Sequence, residues 1–218
     1  ADTDPPTEGH SVALPKVSWK SVLKHSFRKK AFKSKLEVKV GKFEVKGDLM
    51  RGVATDQRVG WRKYTVRPGF PKDAPSNLAW IKPKYTDKLE AFRLTLGLVP
   101  NGGRAPKMVV TFQGEGKDDG LSGWNLIVHE KGRGRVAARL ERYDNVVYQV
   151  QPVQLEKLEV QPLVLEYREG RLTVTIADKP LFENVPINPI PGKRRIGFAT
   201  YGPGLAIESI RLDRIKPR

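Results

Sequence analysis

The sequence alternates. Leu36, Val38 and Val40 are interleaved with Glu37 and Lys39, Phe92, Leu94, Leu96 and Leu98 with Arg93 and Thr95, and Met108, Val110 and Phe112 with Val109, Thr111 and Gln113. Successive side chains of a strand point to opposite faces, so each run predicts a strand with one face in a core. Trp124, Leu126 and Val128 against Asn125, Ile127 and His129, then Val136, Ala138 and Leu140 against Ala137, Arg139 and Glu141, repeat the pattern. No helical stripe is sustained. Many short strands at this spacing predict an all-β fold, an antiparallel sandwich or barrel.

The C-terminal third adds turn chemistry. Leu163, Leu165 and Tyr167, then Arg168-Glu169-Gly170-Arg171, then Leu172, Val174 and Ile176 predict a hairpin whose glycine takes a positive φ. Ile196, Phe198 and Thr200, the Gly202-Pro203-Gly204 turn and a closing strand from Leu205 to Leu212 predict another hairpin, bulged near Ser209 where the apolar parity shifts. Between Gly60 and Lys84 the alternation is absent, and Trp61, Tyr64, Phe70 and Trp80 stand among prolines. That stretch is expected to be long loops, either a binding rim or loops anchored by their aromatics.

The 218 residues suit one sandwich domain, expected from 14 to 218, after a loose arm over 1–13. No apolar run approaches the roughly 20 residues of a membrane-spanning helix. Cysteine is absent, which excludes disulfides, thiolate zinc sites and thiol catalysis. The polar, Pro-rich stretch that begins at Ala1 reads as a processed start, and the expectation is export: secreted, periplasmic or on the surface of a bacterial cell.

Leu163 to Ile176, followed by Leu181-Phe182-Glu183, resembles the hairpin near the end of laminin-G-like and concanavalin A-like jelly rolls. Gly192 to Gly202, then Ala206 to Leu212, is similar to the closing pattern of bacterial 3-keto-disaccharide hydrolase-like domains, and Phe43 to Leu49 to the segment that opens them. Ala199 and Tyr201 stand where those domains carry Gln and His. The resemblance implies an antiparallel jelly roll whose outer, concave sheet binds ligands. Fold alone does not confer an activity.

A glycosidase needs two carboxylates, about 5 to 9 Å apart. Glu141 and Glu166 are the candidates, both facing away from the core side of their strands, with His129 beside them. Asn125 and Arg139 would line the same outer face, which is equally what a solvated sheet face looks like. Trp61, Tyr64, Trp80 and Tyr201 are the aromatics expected on or beside loops, available to stack on sugar rings, whereas Trp19 and Trp124 read as core. Asp118 and Asp119, before Gly120, offer hard oxygen ligands on a loop, so calcium is the one metal admitted, and no cofactor is required. No zinc spacing, phosphate-binding glycine loop or serine elbow is present.

Charge is the remaining lead. The chain carries 40 Lys+Arg against 24 Asp+Glu, a net charge of +16, and half of that excess falls between Lys20 and Lys46. Arg28, Lys29, Lys30, Lys33 and Lys35 form its centre and are the candidate polyanion-binding residues. Sulfated or uronic polysaccharide, lipopolysaccharide and nucleic acid are the partners such a field attracts. Sequence-specific DNA reading has no motif to support it. The reading is an exported, non-catalytic, carbohydrate-binding module, expected to take acidic glycan. The alternatives are a glycoside hydrolase-like domain of the 3-keto-disaccharide type and a module that recognises another protein.

Overall fold

A computed structural model describes residues 15–29, 32–57, 59–61, 75–100, 107–114, 120–121, 123–142, 145–156, 159–201 and 205–216. Two antiparallel sheets face each other. The first contains β1 (Trp19–Ser26), β3 (Phe43–Lys46), β4 (Leu49–Gly52), β7 (Phe92–Pro100), β14 (Gln161–Arg168), β15 (Arg171–Ile176), β16 (Lys179–Pro186) and β18 (Leu205–Ile215). Its order is β16-β15-β14-β7-β18-β4-β3, with β1 also on β18. The second contains β2 (Leu36–Val40), β6 (Asn77–Ile81), β8 (Met108–Gly114), β10 (Trp124–Glu130), β11 (Arg135–Arg142), β12 (Asn145–Gln149), β13 (Val153–Gln154) and β17 (Arg195–Thr200). Its order is β12-β11-β10-β8-β17-β6-β2, with β13 on β11. A short parallel pair, β5 (Gly60–Trp61) with β9 (Gly120–Leu121), stands apart from both.

The core lies between the sheets and is built from the predicted apolar parities. Leu94, Leu96 and Leu98 of β7 and Leu163 and Leu165 of β14 meet Met108, Val110 and Phe112 of β8 and Leu126 and Val128 of β10. Phe92, Phe112 and Tyr167 form an aromatic group at one end, with ring centroids 5.7 to 6.2 Å apart. The β14–β15 hairpin closes through Glu169 and Gly170, both at positive φ, as a two-residue turn matched to strand twist requires. The bulge near Ser209 is present as well, in the pairing of β18 with β7.

Three expectations are corrected. β17 and β18 do not form a hairpin, because β17 pairs with β6 and β8 in the second sheet while β18 pairs with β7, β4 and β1 in the first. The Gly60 to Lys84 stretch is not loop throughout: Asn77 to Ile81 is the fully buried β6, and a one-turn helix, α1 (Pro83–Thr86), follows. A strand apolar on both faces shows no alternation, and Leu78 and Trp80 on the outer side of β6 therefore hid it from a period-2 reading. Trp19 is not core either; it is half-buried on the outer face of the first sheet, with the Arg93 guanidinium 5.1 Å from its ring.

Candidate functional site

Register sets the outward side chains of the second sheet in rows. One row runs Glu37, Trp80, Gly197, Thr111, Asn125 and Glu141 across β2, β6, β17, β8, β10 and β11. The next runs Val40, Leu78, Ala199, Val109, Ile127 and Arg139. At the end of the face where β8 begins, the same register continues to Tyr201, Lys107, His129 and Ala137. Neighbouring strands are about 4.8 Å apart, so each row is a line of adjacent side chains.

The middle of this face is closed. Val40, Leu78, Trp80, Val109, Ile127 and Ala199 form a second apolar cluster with Val59 and with Leu121 of β9. Trp80 and Thr111 are fully buried although they point away from the other sheet. Gly197 makes room for the tryptophan: a Cβ there would stand 2.7 Å from its ring and 2.8 Å from the Ala79 carbonyl oxygen.

The end of the face is polar, half-exposed and cationic. Lys107 Nζ lies 4.4 Å from the centroid of the Tyr201 ring, close enough for a cation–π contact. Arg139 pairs with the buried carboxylate of Glu141 at 2.6 Å. His129 sits among these groups with its Nδ1 buried and without a hydrogen-bond partner. Burial, and after it the charges of Lys131, Arg139 and Lys107, push its pKa down to about 4, so the imidazole is neutral near pH 7. Asn125, two rows further in than His129 and 1% exposed, has neither amide atom hydrogen-bonded. A buried amide left this way costs on the order of 1–3 kcal/mol, which a ligand hydroxyl or an ordered water would recover. The arrangement brings together an ammonium, a guanidinium paired with a carboxylate, a neutral imidazole, a buried amide and an aromatic ring.

Asn125, His129, Arg139, Glu141, Trp80 and Tyr201 therefore share one face. Glu166 does not. It lies in β14 between Arg93 and Thr173 on the outer face of the first sheet and pairs with Arg168 at 3.1 Å. Glu141 and Glu166 are thus separated by both sheets and by the core, and cannot flank one bond. Trp80 is a strand residue under cover, corrected from a loop aromatic free to stack. Trp61 belongs to β5, and Tyr64, Lys30, Asp118 and Asp119 lie outside the described residues.

The basic run is also divided. Arg28 and Lys29 are in the 3-10 turn after β1, while Lys33 and Lys35 lead into β2 of the other sheet. Lys35 Nζ donates to the Tyr85 hydroxyl at 2.9 Å. Burial raises that phenol, but the hydrogen bonds and charges of Lys35 and Lys84 outweigh it and hold the pKa below the usual tyrosine range. Lys39 is spent on Glu37, at 2.6 Å. Lys107 and Lys131, which complete the cationic end of the second sheet, were not singled out from sequence. Lys107 shares the parity of Val109 and Thr111, and that was the available signal.

No protein-family model and no curated protein sequence matches the chain. Solved structures do match. The exoplasmic/lumenal domain of VIP36, bound to calcium and Man3GlcNAc, superposes with a TM-score of 0.55 at 11% identity, over 85% of this chain and 87% of that one. A protein of unknown function with a galectin-like fold from Bacillus subtilis gives 0.58 at 13% identity, over 92% and 100%. The fold is a galectin- and concanavalin A-like β-sandwich. A LamA variant from Z. galactanivorans, in complex with laminaritriose and laminaritetraose, shares this lectin-like sandwich at a TM-score of 0.55 and 13% identity, over 89% and 98%. Among the described residues of this lectin-like sandwich, no three His, Asp or Glu side chains gather as metal ligands.

Proposed function

We propose that this lectin-like sandwich is a non-catalytic carbohydrate-binding module that takes acidic sugar at the cationic end of its second sheet. The observation that carries the reading is the convergence of Lys107, Lys131 and Arg139 on a half-buried, unpartnered His129. Burial comes first in keeping that imidazole neutral and the three neighbouring positive charges add to it, and such a cluster of charge is complementary to a carboxylate or sulfate. Tyr201, with Lys107 Nζ 4.4 Å from its ring centroid, holds that ammonium in place for the contact. The glycan-bound forms of VIP36 and LamA support carbohydrate as the ligand class. Export to the periplasm, the cell surface or the medium of a bacterium belongs to the same reading, supported by the exoplasmic/lumenal origin of the VIP36 domain.

Calcium would be held by Asp118 and Asp119, and acidic-sugar binding at Lys107, Lys131 and Arg139 does not require it. The motif kinship with 3-keto-disaccharide hydrolase-like domains would carry an activity on Glu141, Glu166 and His129, and the placement of Glu166 on the opposite side removes support for that chemistry. A glycan array at low and moderate salt, paired with a turnover assay on mixed oligosaccharides, tests the proposal. Uronic or sulfated glycans should be retained at low salt without turnover, and the signal should fall in Lys107→Gln. Neutral glycans retained as strongly as acidic ones, or cleavage lost in Glu141→Gln, would defeat it.

A further inference from the structure

A second binding site lies at the other end of the sandwich. β8, seven residues long, begins at the cationic end of the second sheet and ends roughly 20 Å away. There, two cavities of about 190 and about 560 Å³ open side by side and share Glu90 and Tyr167 in their walls. Phe92, Gln113 and the segment 189–194 line the smaller; Lys88, Arg168, the Glu169-Gly170 turn and Arg214 line the larger. The larger is in the size range of small-molecule sites.

The walls are held in place. Trp124 Nε1 donates to the Asn188 carbonyl at 2.8 Å, and the Ile190 amide donates to Gln113 Oε1 at 3.0 Å. The Ile187 amide donates to the Gly170 carbonyl at 2.8 Å, and Arg194 Nη1 to the Asp87 carbonyl at 2.9 Å. Five cations stand in the two linings against two carboxylates, Glu90 and Glu169. Arg194 is anchored on Glu90 at 3.6 Å and Arg168 on Glu166 at 3.1 Å. The side chains of Lys88 and Arg214 make no hydrogen bond or ion pair with any described residue, and Arg214 Nε is buried without an acceptor. A buried guanidinium nitrogen with no acceptor is costly, and an oxyanion bridging Arg214 and Lys88 would remove that cost.

We infer that this end groove is a second binding site, for a compact ligand bearing carboxylate or sulfate groups, held between Lys88 and Arg214. It is separate from the cationic end of the second sheet and does not depend on it. Digalacturonate, citrate and inorganic sulfate, titrated separately into the isotope-labelled full chain, distinguish an acidic sugar, a polycarboxylate and a bare oxyanion as the source of that chemistry. Amide resonances of Gly170, Gly192 and Lys193 should shift saturably with at least one probe. Arg214→Gln should weaken that response about tenfold, Lys88→Gln should weaken it too, and Lys107→Gln should leave it unchanged. Lys88 is exposed, so its variant keeps the test valid if Arg214→Gln folds poorly. No shift with any probe up to about 10 mM, a range that still detects millimolar affinity, would overturn the site. So would a response that neither variant alters.

Discussion

The ammonium of Lys107 and the ring of Tyr201 are stacked, with 4.4 Å between Nζ and the ring centroid. The lysine is thereby pre-placed beside His129, and the tyrosine serves more as its support than as a sugar platform. Tyr201→Phe should keep acidic-sugar binding within about twofold, because the ring face is retained. Tyr201→Leu and Lys107→Gln should each weaken digalacturonate about five- to tenfold, the scale of one charge-assisted contact. Calorimetry at low salt reads both, and a Phe variant as weak as the Leu variant would show that the hydroxyl, not the ring, matters.

If acidic sugar binds beside His129 as proposed, that binding should depend on pH. Burial and the charges of Lys131, Arg139 and Lys107 depress its folded pKa to about 4, while the unfolded chain titrates near 6.5. The unfolded state takes up the proton first, so this group's contribution to stability is full above about pH 6.5 and is lost as pH falls toward 4. A bound carboxylate opposes the surrounding positive field, with Glu141 already committed to Arg139, and raises the imidazole pKa. Binding should therefore take up a proton and tighten between about pH 6.5 and 5. His129→Gln should lose that gain, and wild-type affinities equal at both pH values would refute the linkage.

Gly197 is a packing residue. With the Trp80 ring 2.7 Å from where a Cβ would stand, Gly197→Ala should destabilise the fold by about 1–3 kcal/mol. Trp80→Ala should cost about 3–5 kcal/mol. Denaturant midpoints measure both, and an alanine at 197 that leaves the midpoint unmoved would mean that the ring is loosely held.

The two glutamates should behave as strangers. Glu141→Gln removes the partner of Arg139 and should alter acidic-sugar affinity, upward if the freed guanidinium turns to the ligand. Glu166→Gln, on the far sheet, should leave it unchanged. A shared loss of binding in both variants would contradict their separation.

Chelation addresses Asp118 and Asp119. Added EDTA should leave digalacturonate binding at the Lys107 end intact, since no metal takes part in it as described. A loss restored by calcium but not by magnesium would place a calcium requirement on that loop.

The parities of β7, β8, β10, β11, β14 and β15 were legible because each of these strands gives one clear apolar face to the inter-sheet core. β6 escaped because its outer face is apolar too, with Leu78 and Trp80 in the second cluster, whereas β8, equally buried, keeps the polar Thr111 and Gln113 on that face. The false hairpin of β17 and β18 has a different cause. A Gly-Pro-Gly turn announces that the chain reverses, and whether it returns to the same sheet or crosses to the other depends on distant strands. The same non-local information misled the pairing of Glu141 with Glu166: both point outward, from different sheets. Asn125, His129 and Arg139 were found because their strands alternate, whereas Lys107 precedes the first residue of β8 and Lys131 follows the last of β10.

Val59 and Leu121, brought in from segments far apart in the chain, take up the centre of the second sheet's outer face. A face free from edge to edge can hold the interior of a long polymer laid across it; one interrupted in this way has berths only for what can enter from the side. Affinity for a polysaccharide should then scale with the number of its chain ends, not with its mass, and partial digestion of a uronic polymer should raise the number of binding sites per gram.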